Sequence, residues 1–216
     1  MMKRLLIVTM MAGYCFLPGS AGAEDEGGWR NWGAGWYVCA YLGQLTASDF
    51  SEVSSFQADL VPSYMLALAV GKEVWRYKDL LGVELEAQVA NYFNDYVFDS
   101  DSPDESSDLT QDHTEFNALF TVRWLKFPWD RHVDTSVAVG EGVSYATSVP
   151  AVETYRHGEE TSKFLNYLMI ESTFGLPALP KWQLVFRLHH RSGAWGLYNG
   201  VHGGSNTIGM GLRYQL

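Results

Sequence analysis

The stretch VELEAQVANYF, residues 83–93, decides the fold. Val83, Leu85, Ala87 and Val89 alternate with Glu84, Glu86 and Gln88. Side chains on a β-strand point to opposite faces with period 2, so this run has one apolar face and one polar, charged face. The same rhythm recurs in EFNALFTVRW (115–124), where Phe116, Ala118, Phe120, Val122 and Trp124 alternate with Glu115, Asn117, Thr121 and Arg123. At the end of the chain, Ile208, Met210, Leu212, Tyr214 and Leu216 alternate with Thr207, Gly209, Gly211, Arg213 and Gln215. Reading outward from these runs places eight strands near 35–46, 63–76, 80–94, 113–126, 132–146, 163–175, 181–193 and 205–216.

The connections alternate in length. Short ones fall at Tyr77–Asp79, KFPWDR (126–131) and GLPALPKW (175–182). Long ones fall near 47–62, 95–112, 147–162 and 194–204. An even number of strands with short turns on one side and long loops on the other is the pattern of an outer-membrane barrel. Strands of about ten residues match the length that crosses a bilayer. Trp75, Tyr77, Tyr92, Phe93, Trp124, Phe127 and Trp129 cluster at strand ends, as an interfacial girdle requires. The expected fold class is therefore all-β: an eight-stranded antiparallel up-and-down transmembrane β-barrel, occupying residues 24–216. A soluble periplasmic β-protein is the competing class.

The first 23 residues stand apart. Lys3 and Arg4, the apolar run Leu5–Leu17 and Ala21-Gly22-Ala23 form a secretory signal with its cleavage site before Glu24. The chain carries 15 Lys and Arg against 25 Asp and Glu, a formal net charge of −10, which becomes −12 once Lys3 and Arg4 leave with the signal. That balance argues against nucleic-acid binding. Cys39 is the single cysteine after the signal, so no intrachain disulfide can form.

A barrel of eight strands is filled by side chains. Its inner face has Glu84, Glu86, Glu115 and Asp134 to meet Arg123, Arg187, Arg191 and Arg213. Two places break the pattern. The second strand changes phase near Gly71, where a glycine bulge is expected. Glu141 shares the parity of Val137 and Val139, an odd place for a carboxylate if that face meets lipid.

The seventh strand ends in RLHHRSGAWG (187–196). His190 and Ser192 lie on the parity of Trp182, Leu184, Phe186 and Leu188, and so face lipid at the outer end of the strand. Asn206 on the eighth strand shares the parity of Ile208 and Met210 and can meet them in a hairpin. A serine hydroxyl becomes a nucleophile when a neighbouring base takes its proton, and an imidazole does this near neutral pH. A third group on the other ring nitrogen fixes the tautomer.

At these residues the chain resembles the lipid A 3-O-deacylase family of outer-membrane enzymes. The resemblance implies an eight-stranded barrel and metal-free hydrolysis of an ester-linked acyl chain of lipid A. It makes His190 the base and Ser192 the nucleophile, and places lipid A or lipopolysaccharide of the outer leaflet as the partner. The MGLRYQL terminus (210–216) resembles the signal read by the barrel-insertion machinery. Two positions depart from the family pattern. Its acid falls on or beside Asn206, and its Asn after the serine is Gly193, which leaves the oxyanion to backbone N–H groups such as that of Gly193. A non-catalytic structural or surface-binding barrel with the same fold is the alternative.

Neither a metal nor a cofactor is implied. DSDSPDESSDLTQD (99–112) lacks the central Gly and closing Glu of a calcium loop. His189 points opposite to His190, so His189, His190 and His202 do not converge. NGVHGGSN (199–206) reads as a glycine-rich turn, because no helix follows it to hold a phosphate.

Overall fold

The computed structural model describes residues 35–93, 97–98, 109–157 and 161–216. The expected secretion signal, residues 1–23, and most of the acidic loop 95–112 lie outside the described residues. Eight long strands close into a barrel: β1 (Trp36–Thr46), β2 (Leu60–Tyr77), β3 (Leu81–Phe93), β6 (His113–Trp124), β7 (Asp134–Ala146), β8 (Phe164–Gly175), β9 (Trp182–Ser192) and β10 (Gly204–Gln215). β4 (Val97–Phe98) and β5 (Leu109–Thr110) form a separate two-residue ladder in the second long loop. All barrel pairings are antiparallel between sequence neighbours, and β1 pairs with β10 to close the ring. Two short helices sit in the long loops: α1 (Phe50–Ser54) after β1 and α2 (Ala151–His157) after β7.

Alternation sets what faces what. Leu66, Leu68, Leu85, Phe120, Val139, Phe186 and Met210 are exposed on the outside, an apolar belt whose surrounding solvent is lipid. Exposed Trp36, Trp75, Tyr77, Trp124, Trp129 and Trp182 ring the end that carries the short turns. Tyr92 departs from the expected girdle. It is buried inside the barrel, where its hydroxyl meets Thr207 Oγ1 at 2.9 Å and its ring stacks on His113. The protein is an integral outer-membrane barrel.

The lumen is cemented by charge. Arg123 donates to both oxygens of Glu84 (3.0 Å each) and to Glu171 (2.6 Å). Arg187 donates to Glu86 (2.6 and 3.0 Å) and to Glu171, and Arg213 donates to Glu84 (2.6 Å). Three guanidiniums thus face three carboxylates, with Tyr37 OH on Glu86 at 2.9 Å. The sequence pattern pairs some of these groups differently. Glu115 meets His113 (3.1 Å) and His189 (2.8 Å) instead of an arginine. Asp134 accepts from Gln183, at 3.5 Å. Arg191 reaches up to Glu153 on α2, with Nη1 at 2.8 Å from both oxygens.

The expected bulge at Gly71 is absent. The register shift lies between Glu73 and Trp75, and Gly71 stays in phase opposite Glu86; the Tyr37 ring, 2.2 Å from where a Cβ would sit, accounts for a glycine at this inward position. Lys72 remains on the outward face and places its ammonium over the Trp36 ring at 5.4 Å, keeping its stem on apolar surface at the rim.

Register around the barrel has a direction. Starting at Thr46, successive partners are Asn206, His190, Leu168, Glu141, Phe120, Leu85 and Lys72, and the row returns to β1 at Trp36. Positions 46 and 36 are ten residues apart on one strand, which is the stagger that closing the sheet requires. A line drawn across the strands therefore descends from the rim with the long loops to the opposite rim.

Candidate active site at the outer rim

His190 and Asn206 are directly opposite each other across the β9–β10 hairpin. His190 Nδ1 lies 2.7 Å from Asn206 Oδ1. The Asn206 Nδ2 donates to the backbone carbonyl of Ser48 at 2.9 Å. A carbonyl only accepts, so Ser48 turns the amide with its oxygen toward the imidazole. Nδ1 then carries the proton, and Nε2 keeps the lone pair that a general base needs. The ring is held from above by Phe50 of α1, with centroids 4.7 Å apart.

Ser192 lies two residues along the same face, between Asn166 of β8 and Gly204 of β10. Among the described residues no hydrogen bond joins its hydroxyl to His190. Both line one cleft of about 560 Å³ with Asn206, which also takes in Asp49, Arg156 and His202 from the long loops. His189, the neighbouring histidine, is inside the barrel between Glu115 and Tyr41 Oη.

Gly193 takes a different part from the one expected. Its N–H donates to Gly203 O at 2.9 Å, so it is not a free oxyanion donor. A Cβ there would stand 1.9 Å from Val201 O, which closes this position to the Asn that the family resemblance calls for. The following residues, Ala194 and Trp195, adopt the left-handed conformation (φ 47° and 55°), which is strained for non-glycine residues. Both line the cleft, and among the described residues neither N–H has a protein acceptor. The Trp195 side chain is 93% exposed.

Glu141 finds its place here. Its carboxylate accepts from Asn166 Nδ2, and it lines the cleft beside Ser192. It also lines a second, mostly apolar hollow of about 540 Å³ with Val70, Leu85, Ala87, Ala118 and Phe120. The two hollows follow adjacent register rows. One row runs Ser192, Asn166, Val143, Ala118, Ala87, Val70, and the other runs His190, Leu168, Glu141, Phe120, Leu85, Lys72. Together they form a furrow that starts at the His–Ser pair and descends along the lipid face. The parity of Glu141 was the only sequence signal for it; nothing in the spacing pointed to Asn166, Arg156 or Phe50.

No protein-family model matches the chain, and no curated protein does. Among solved structures, the chain is similar to the outer-membrane enzyme PagL, with 12% identity, a TM-score of 0.53, and 83% of this chain and 99% of that one covered. It also aligns with Neisserial surface protein A at 12% identity and a TM-score of 0.47, covering 84% of this chain and 97% of that one. At these identities the likeness is one of fold, that of outer-membrane eight-stranded barrels.

Proposed function

We propose that the protein is a serine ester hydrolase of the outer membrane that removes an ester-linked acyl chain from lipid A. The observation that carries this reading is the orientation of His190: Ser48 and Asn206 leave its Nε2 as acceptor in the cleft that Ser192 lines, on the face that meets lipid. In the proposed reaction Ser192 Oγ attacks the ester carbonyl carbon and its proton passes to His190 Nε2. The tetrahedral intermediate collapses with loss of the sugar alkoxide, which takes that proton. Water, activated by the same nitrogen, then cleaves the acyl-serine to the free fatty acid. The N–H groups of Ala194 and Trp195 suit the developing oxyanion, a contact typically worth about 10²–10³ in rate. The serine–histidine contact commonly tightens only in the substrate complex.

The furrow supports an acyl substrate. Five strands from β9 to β3, at about 4.8 Å per spacing, give about 19 Å of descending trough from Ser192 to Ala87. Such a trough leads a chain from the headgroup level down into hydrocarbon. Lipopolysaccharide is the partner this implies, and the MGLRYQL strand is the segment offered to the insertion machinery during assembly.

One observation favours a second reading, a non-catalytic barrel. Asn206 orients the imidazole but carries no charge to stabilise its cation; in a serine triad the acid-to-amide change costs about 10⁴ in rate, largely through the wrong tautomer, which the Ser48 carbonyl prevents here. Mass spectrometry of lipid A from cells expressing the protein or its Ser192→Ala variant separates the two. The hydrolase reading expects loss of one acyl chain with the wild type only. Identical lipid A in both, from correctly assembled barrels, supports the non-catalytic reading.

A further inference from the structure

The amide that orients His190 is itself oriented from outside the strands. Ser48 O accepts two hydrogen bonds: one from Asn206 Nδ2 at 2.9 Å and one from Arg156 Nη1 at 3.1 Å. Arg156 also pairs through Nη2 with Asp49, the next residue of the same loop. The guanidinium therefore holds residues 48 and 49 by two donors in a fixed fork, a geometry that a planar Arg supplies and Lys does not.

The base of this arm is equally defined. Arg156 lies one helical turn beyond Glu153 on α2. Glu153 is buried in the mouth of the barrel, bound by Arg191 at 2.8 Å, by Ser205 Oγ at 2.9 Å and by Thr161 Oγ1 at 2.8 Å. Arg191 is the residue between His190 and Ser192. The segment that bears the candidate base and nucleophile thus grips α2 from inside the barrel. Through Arg156, α2 reaches over the rim to the carbonyl that sets the Asn206 amide.

We propose that Arg156 is a positioning residue for His190, acting through the Ser48 carbonyl and the Asn206 amide. With Ser48 fixed, the amide oxygen faces the imidazole and Nδ1 is the protonated nitrogen. With Ser48 released, the amide can turn its NH₂ to the ring, which moves the ring proton to Nε2 and removes the base. The partner of His190 Nδ1 here is an amide and not a carboxylate, whose two equivalent oxygens would accept from the imidazole in either orientation. An asymmetric amide needs an external reference, the Ser48 carbonyl; Arg156 holds that carbonyl from α2, while the Ser48 N–H to Thr46 Oγ1 and the Asp59 N–H to Ser48 Oγ, both at 2.8 Å, hold the rest of the residue. The kinetic consequence rests on the hydrolase reading, whereas the tautomer of His190 does not.

The test uses full-length protein refolded in detergent micelles with nitrogen-15-labelled histidine, His190 being assigned by its loss in a His190→Gln variant. The wild type is expected to show the Nδ1–H form. Arg156→Met is expected to shift His190 toward the Nε2–H form and to lower kcat about tenfold with little change in KM, the kinetic equivalent of one hydrogen bond. In an Asn206→Asp background, Arg156→Met is expected to change neither, because a carboxylate needs no orienting. A staple that merely tied two loops together would leave the tautomer alone and act equally in both backgrounds. An unchanged His190 tautomer in Arg156→Met, or an equal effect in the Asn206→Asp background, overturns the proposal. If Arg156→Met does not refold, Arg156→Lys is read the same way, with a part-way shift expected and no shift overturning it. A wild type without hydrolysis sinks the hydrolase reading, and the tautomer still decides the role of Arg156.

Discussion

Replacing Arg187 by Met probes whether the lumen is a dry, closed ionic cluster. Arg187 makes close contacts to two carboxylates, Glu86 and Glu171, all three side chains being essentially inaccessible. Its loss turns a neutral set of three cations and three anions into one with a surplus negative charge. Glu171 would keep Arg123 at 2.6 Å, and Glu86 would keep only Tyr37 OH at 2.9 Å. Leaving a buried ion without its partner costs about 3–5 kcal/mol. Adding Glu86→Gln removes the surplus charge and should recover at least half of that loss, since a neutral amide is far cheaper to bury than an unpaired carboxylate. Urea unfolding of the refolded barrel in lipid vesicles, followed by tryptophan fluorescence and heat-modifiable gel migration, measures both variants. A single-variant loss below about 1 kcal/mol, the range of exposed ion pairs, would show that water reaches these groups and refute the closed-lumen argument.

Three further substitutions test the cleft and the wall. On the hydrolase reading, Asn206→Asp should raise turnover about tenfold, the difference between a neutral and a charge-assisted hydrogen bond at the 2.7 Å contact to His190; a pH–rate profile on refolded protein checks it, and a fall in rate would count against His190 as the base. Glu141→Leu should stabilise the barrel in vesicles by about 1–2 kcal/mol by removing a carboxylate from the lipid face, while slowing lipid A turnover; lost stability would mean the Asn166 contact outweighs exposure to lipid. Gly71→Ala should cost about 1–3 kcal/mol by overlapping the Tyr37 ring, and an unchanged urea midpoint would show that the ring moves freely.

The strands were legible because a barrel wall imposes one rule on every residue. VELEAQVANYF and EFNALFTVRW obey it, and β3 and β6 fall within two residues of the segments they mark. Legibility fails where the rule does not reach. Tyr92 sits at a strand end but on the inward parity, so position along the strand misled where alternation did not. Gly71 suggested a bulge because Lys72 shares the parity of lipid-facing residues, yet that lysine lies at the rim over Trp36. In the cleft, His190, Ser192 and Asn206 were readable from parity and hairpin register. Phe50, Ser48 and Arg156 were not, since loop residues meet the wall through backbone carbonyls and ring contacts that leave no periodic trace. Gly193 shows the same gap: only the approach of Val201 explains why a side chain is barred there.

The order His190, Arg191, Ser192 has a consequence for assembly. Slipping β9 by one residue against its neighbours would turn Arg187 and Arg191 out to lipid and carry His190 and Ser192 into the lumen, because the faces exchange with every single step. An arginine on the lipid face costs about 2–4 kcal/mol at the bilayer midplane, less toward the interface, and the abandoned Glu86, Glu171 and Glu153 would add their own unpaired burial. The inward arginines therefore proofread the threading of the strand. A misthreaded barrel, with His190 and Ser192 turned inward, is also the one that membrane and lumen both reject.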